Sequence, residues 1–249
     1  MERKMEIFFE IHSDNPREGP GSNEATQRAF DAMTGLPKEP VILDLGCGPG
    51  MQTIHLAKIS GGEISAVDNH APFIDVLKAN AAEAGLSYNI DAVEASMLDL
   101  PFEENIFDIV WSEGAIYQIG FEKGLRDWKR FLKPKGYIAV TEASWLKSDP
   151  PAELAEFWAT GYPDMMSVEE NIEIIGRCGY ELIEHFTLPV SAWWDDYYDS
   201  IKKRLVALRE KYKGDEEAEA VFAAEETEMS LLEKYFDYYG YEFYIMRRK

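Results

Sequence analysis

Between about residues 41 and 145 the chain alternates short β-rich runs with segments of helical spacing, and this alternation constrains its fold more than any other feature. The runs are Val41–Leu45, Glu63–Asp68, Tyr88–Ala95, Phe107–Trp111 and Tyr137–Thr141. Val41–Leu45 is a continuous apolar run broken only by Asp44 and ending in glycines, as a strand covered on both faces reads. Between the runs, Phe73, Val76, Leu77, Ala81 and Ala84 precede Gly85, and Leu125, Trp128 and Leu132 precede Pro134 and Gly136. Steps of three and four put such residues on one helix face, with Gly85 and Gly136 as natural stops. An α/β fold follows, with a parallel sheet and helices on both faces.

After Ser148–Pro151 the rhythm changes. Ala152–Thr160 reads as a helix, and Ser167-Val168-Glu169-Glu170 is a capping-box signal opening another towards Gly176. A sixth strand is expected from Tyr180 to Leu188, and a last one from Tyr241 to Met246 after Gly240. Between them, Tyr198, Ile201, Leu205, Leu208 and Tyr212 recur at steps of three and four, until Gly214-Asp215 breaks the run from a second helix. That stripe is expected to pack on the domain rather than to form a partner-binding coiled coil. The acidic run Asp215-Glu216-Glu217 suits a helix N-terminus. The resulting division is an N-terminal cap over 1–37 and one domain over 38–249, carrying a helical insertion at about 191–238.

Composition removes several function classes. With 46 acidic against 25 basic residues the formal charge is -21, which repels phosphate backbones, so nucleic acid is not the expected partner. No stretch approaches the roughly 18 apolar residues of a membrane span. Glu6 and Glu10 interrupt the N-terminal apolar stretch, against a signal peptide, and a cytoplasmic location is expected. Cys47 and Cys178 stand alone, and His12, His55, His70 and His185 show no ligand spacing, so no metal site is expected. A small molecule is the expected partner.

The segment Asp44-Leu45-Gly46-Cys47-Gly48-Pro49-Gly50 lies where a buried strand turns into a helix. Glycines there let the backbone approach a ligand closely. Their spacing is G-x-G-x-G, not the G-x-G-x-x-G of a dinucleotide site, and Asp44 would repel a pyrophosphate. It would attract a cationic group, directly or through water. S-adenosylmethionine carries an ammonium and a sulfonium. Asp68 closes the second strand, where doubly wound folds place the acid that accepts ribose hydroxyl bonds. NAD and S-adenosylmethionine both use such an acid, and a simple turn acid before Asn69 is the alternative.

With these residues in view, the chain resembles the class I S-adenosylmethionine-dependent methyltransferases, of the small-molecule, UbiE-like kind. The likeness covers roughly residues 38–145, through Val41–Thr53, Ala66-Val67-Asp68, Ser96–Phe102, Phe107–Val110 and Phe131–Tyr137. It implies a Rossmann-like seven-stranded sheet with an antiparallel last strand. It implies S-adenosylmethionine as cofactor and S-adenosylhomocysteine as product. The implied cofactor residues are Asp44, Gly46, Cys47, Gly48, Gly50, Thr53, Asp68, Asn69, Ser96, Met97 and Glu113, with Ser96 and Met97 beside the adenine. Many relatives have Asp where Ser96 stands. The block Glu18–Glu24 resembles the N-terminal cap that closes over the cofactor in a subset of bacterial and archaeal methyltransferases; a surface turn with an N-cap is the alternative.

Methyl transfer is an in-line displacement that asks chiefly for placement of the acceptor and exclusion of water. An acceptor that must lose a proton needs a base as well. After the fourth strand, Glu113 and then Tyr117 are the candidate catalytic residues, with pairing of Glu113 to a base such as Arg126 as the alternative. Glu142, Trp193, Trp194, Tyr197 and Tyr198 are the candidate acceptor contacts, the aromatic run reading as a lid or as ordinary packing. The expected function is methyl transfer to a small organic acceptor by a monomer or homodimer. The rivals are an NAD-type oxidoreductase and a non-catalytic S-adenosylmethionine-binding protein.

Overall fold

The structure, a computed structural model, describes residues 2–249. Seven strands form one sheet: β1 (Val41–Leu45), β2 (Glu63–Asp68), β3 (Ile90–Glu94), β4 (Phe107–Ser112), β5 (Leu132–Trp145), β6 (Tyr180–Thr187) and β7 (Tyr239–Arg248). Their order is β3-β2-β1-β4-β5-β7-β6, and β7 inserts antiparallel between β5 and β6. The helices are α1 (Glu2–His12), α2 (Asn23–Asp31), α3 (Met51–Ser60), α4 (Ala71–Glu83), α5 (Phe121–Trp128), α6 (Ala152–Gly161), α7 (Val168–Arg177), α8 (Ser191–Trp193), α9 (Asp199–Lys211) and α10 (Glu216–Tyr235). A π-helical turn, Trp194–Tyr198, joins α8 to α9.

Apolar side chains alternate across the strands onto two cores. Ile42, Ile64, Ile109, Trp111 and Phe243 pack with α2 and α3 on one face; Leu43, Leu45, Val110, Val140 and Tyr244 pack with α5 and α7 on the other. Each such side chain, fully withdrawn from water, contributes about 1.5–3 kcal/mol. A third core lies beyond the sheet, where Ile7 and Ile11 of α1 meet Ile201, Leu205, Phe222 and Leu232 of the insertion. The stripe on α9 and α10 therefore packs inward, and Asp215 caps α10 through the amides of Glu217 and Ala218. The capping box on α7 forms in full. Ser167→Ala should cost about 1 kcal/mol of stability, readable as a lower urea midpoint with unchanged slope.

Several boundaries differ from the sequence reading. β3 begins at Ile90, because Asn89 closes a turn back onto Leu86. Val76 is exposed, since the buried face of α4 is carried by Ile74, Leu77 and Ala81. Gly136 does not end a helix: α5 stops at Trp128, Leu132 already pairs with Phe107, and Pro134 and Gly136 lie inside β5. There the register jumps to Tyr137 opposite Ile109, with Lys135 at φ 64, so the proline occupies an irregularity that needs no ladder N–H. Gly240 likewise sits within β7. Ala25, Ala29 and Met33 join the first core, so α2 packs against the sheet.

Candidate functional site

β1 lies between β2 and β4, where the chain leaves the sheet in opposite directions, and this switch point places a crevice at the carboxyl ends of the strands. A cavity of about 540 Å³ occupies it. Its lining includes Gly46, Cys47 and Gly48 after β1, Asp68 and Asn69 after β2, Ser96 and Met97 after β3, and Glu113, Gly114 and Tyr117 after β4. Phe8, Phe9, Arg17 and Glu18 of the cap complete it. Residues from the N-terminal half of the chain, between Met5 and Ile119, thus converge on one space of ligand size.

The glycine loop is held rigidly. Gly46 and Cys47 both donate backbone N–H bonds to Val67 O, at 2.8 and 3.0 Å. Gly46 has φ 72, and a Cβ there would lie 2.3 Å from the Cβ of Ala115. Gly50 has φ 92, and its Cβ would fall 2.2 Å from Leu77 Cδ1. At both places the left-handed backbone and the close neighbour exclude any other residue without distortion. Asp68 ties the loop to β2: its Oδ2 accepts from Gly48 N at 3.0 Å and its Oδ1 from His70 N at 2.9 Å. Each oxygen retains a second lone pair, so the acid can still accept from a ligand hydroxyl.

Asp44 stands behind the loop. It is fully buried, accepts from Thr53 Oγ1 at 2.6 Å, and its Oδ1 has no partner among the described residues. Burial pushes its carboxyl up to about 7, against the Thr53 bond. Asp44, Gly50 and Thr53 do not line the cavity, so they shape the loop instead of contributing surface to it.

Glu113 is one of the most heavily hydrogen-bonded side chains in the site. Its Oε1 accepts from Thr26 Oγ1 at 2.7 Å and from Trp111 Nε1 at 2.9 Å, and its Oε2 pairs with Arg17 Nη2 at 2.5 Å. The expected alternative partner is wrong: Arg126 pairs with Glu122 one turn away on α5. With both oxygens engaged by donors, Glu113 anchors α2 and the loop before it to β4. Tyr117 lines the cavity, desolvation raises the pKa of its phenol, and its ring meets Tyr162 edge-on at 5.8 Å.

The other candidate acceptor contacts lie elsewhere. Glu142 is buried beneath the sheet end, accepts from Tyr162 OH at 2.5 Å, and does not line this cavity. Burial pushes its carboxyl up to about 8. Trp193, Trp194, Tyr197 and Tyr198 do not form a lid over the cavity. They contact one another in the third core, and Trp193 also packs on Tyr239 and Tyr241, the latter at 5.3 Å.

Sequence reasoning missed Arg17, Phe8, Phe9 and His70. The one local signal was a charged pair, Arg17-Glu18, set against Gly19-Pro20-Gly21. His12 secures this loop: its Nδ1 lies 2.9 Å from Glu18 Oε2 and its Nε2 3.6 Å from Glu225 Oε1. Burial opposes its charge, but the two carboxylates outweigh that and push the imidazole up to about 9.

Residues 42–136 match the family described as "Methyltransferase domain". The chain is 28% identical over 178 residues to a sterol 24-C-methyltransferase of Neurospora crassa, covering 66% of this chain and 46% of that one. It is 30% identical over 122 residues to a glycine/sarcosine/dimethylglycine N-methyltransferase of Actinopolyspora halophila, covering 47% of this chain and 22% of that one. The chain spans less than half the length of either relative. The crystal structure of an SAM-dependent methyltransferase from Geobacter sulfurreducens, in complex with S-adenosyl-L-homocysteine, has the same fold, with TM-score 0.84 and 98% of each chain covered at 21% identity.

Proposed function

We propose, from the premise that this chain carries a class I methyltransferase domain, that it transfers the sulfonium methyl of S-adenosylmethionine to a small organic acceptor. The observation that carries the reading is Asp68, which faces the cavity while one oxygen holds the glycine loop at Gly48 N and the other holds the start of α4 at His70 N. The UbiE-like subdivision is part of this proposal; the family match supports the broader class. When bound, S-adenosylmethionine supplies an electrophilic methyl on a positively charged, good leaving group.

The residues present fit such a cofactor. Asp68 accepts from the ribose hydroxyls, and Asn69, Ser96 and Met97 line the nucleoside half. Trp128 Nε1 lies 3.4 Å from Met97 O and fixes that segment against α5. Gly46 leaves room that a side chain would fill. Tyr117, protonated, offers a donor and an aromatic wall at the other side of the cavity, while Phe8 and Phe9 from α1 exclude water. Exclusion of water and alignment of the acceptor supply the rate, with Glu113 holding the geometry.

A pyrophosphate at this loop would face three carboxylates, Asp44, Glu18 and Asp68. This weighs against the oxidoreductase. Among the described residues no helix is long and apolar enough to cross a membrane. The acidic charge of -21 supports a partner other than nucleic acid, and a cytoplasmic monomer or homodimer is part of the proposal.

Calorimetric titration with S-adenosylmethionine, S-adenosylhomocysteine and NAD tests the cofactor. Micromolar binding of both sulfur nucleosides with no heat from NAD is expected, and binding of NAD alone would replace this reading with the oxidoreductase. Consumption of bound S-adenosylmethionine with an acceptor panel separates the enzyme from a non-catalytic binder.

A further inference from the structure

Two polar atoms on the cap side of the cavity have no partner among the described residues: Arg17 Nη1 and Glu18 Oε1. Both residues line the cavity with Gly46, Gly48 and Asp68. Arg17 is only 3% exposed, so its guanidinium is out of water with one nitrogen on Glu113 and the other free. An arginine presents a planar fork suited to two acceptors, and here one is supplied by the protein. Gly21 packs against the guanidinium: a Cβ there would lie 2.2 Å from Nη2, 2.4 Å from Cζ and 2.8 Å from Nη1, so the absence of a side chain makes room for the fork. Glu18 rests on the glycine loop, its Cγ 3.5 Å from the Cβ position of Gly48, and His12 takes its other oxygen. A cation and an anion thus stand as sequence neighbours beside the glycine loop, each with an unused valence.

The ligand group that satisfies both at once is a zwitterion carrying a carboxylate and an ammonium on one carbon. We propose that Arg17 and Glu18 bind the amino-acid end of the cofactor, its α-carboxylate on Arg17 Nη1 and its α-ammonium on Glu18 Oε1. This rests on the cofactor reading above and assigns its second half to the cap. The nucleoside end is then read by β2 and β3, and the amino-acid end by the loop between α1 and α2. A nucleoside lacking that end gains nothing from the cap, whereas the intact cofactor couples cap and sheet.

The test compares S-adenosylhomocysteine with 5′-methylthioadenosine, which keeps the nucleoside and lacks the amino-acid end, by calorimetry on the full chain. Arg17→Met is expected to weaken S-adenosylhomocysteine by about 30-fold and 5′-methylthioadenosine by less than about twofold. Glu18→Gln should show the same selectivity at about 5–10-fold, the loss of one charged partner. Arg17→Lys, which restores the charge without the fork, should recover part of the loss. Equal weakening of both nucleosides would mean that the pair only braces the cap, and unchanged affinity for S-adenosylhomocysteine would remove the contact; either overturns the assignment alone. A wild-type chain that binds neither nucleoside would overturn the cofactor reading and this assignment with it.

Discussion

Asp68→Ala is expected to raise the dissociation constant for S-adenosylhomocysteine by about 100-fold or more while leaving the fold intact. Two ribose hydroxyls lose a charged acceptor, and bonds of that kind contribute about 1.5–3 kcal/mol each. The same substitution also frees Gly48 N and His70 N, which both depend on this carboxylate. The turn after β1 and the start of α4 then lose their common tether, so the cavity is less well formed before any ligand arrives. Asp68 ends a strand at the edge of the cavity and not in a core, so the cost to stability stays near the value of the two backbone bonds. Asp68→Asn separates the two effects: its amide oxygen still accepts one backbone bond, but the charge is gone. Calorimetry with far-UV dichroism decides the matter. An affinity within a few-fold of wild type would reduce Asp68 to a turn acid.

The parts of this site legible in the sequence are those whose cause is local. The turn at Gly46 and Gly50 is dictated by left-handed backbone and by side chains arriving at those points, and Asp68 by its place at the end of the next strand. The sheet was legible for the same reason, each strand being a short apolar run between turn residues. What failed to show was long-range pairing. Nothing near Glu113 in sequence points to Arg17, which lies 96 residues away, and the helical neighbour Arg126 was the plausible partner until the structure gave it to Glu122. The run Trp193–Tyr198 announced burial but not the surface it is buried against, since periodicity fixes the face of a helix and not its neighbour. Gly136 misled because a glycine marks a bend or close approach in a strand as readily as a helix end.

Raising the pH from 6 to 9 is expected to lower the stability of the ligand-free chain, and Glu142→Gln to remove a large part of that loss. Burial pushes the Glu142 carboxyl from its ordinary 4.5 up to about 8. Between those values the folded chain holds a proton that the unfolded chain has released. Stability from this group is therefore complete below the unfolded value and declines as pH rises through the folded one. Integrated over the window the loss is roughly 3–5 kcal/mol. Asp44, pushed up to about 7 by burial, adds a decline at lower pH, and His12, held at about 9, adds one at higher pH. The overall acidic charge acts in the same direction by self-repulsion, so the wild-type slope alone does not assign its source. Glutamine matches the protonated acid in shape, and its amide oxygen can still accept from Tyr162, which donates to Glu142 Oε1. At pH 5 the urea midpoints of wild type and variant should nearly coincide, and at pH 9 the variant should be the more stable. Parallel curves over the whole range would mean that Glu142 reaches water or a cation when it ionises, so that its burial costs the charged form little.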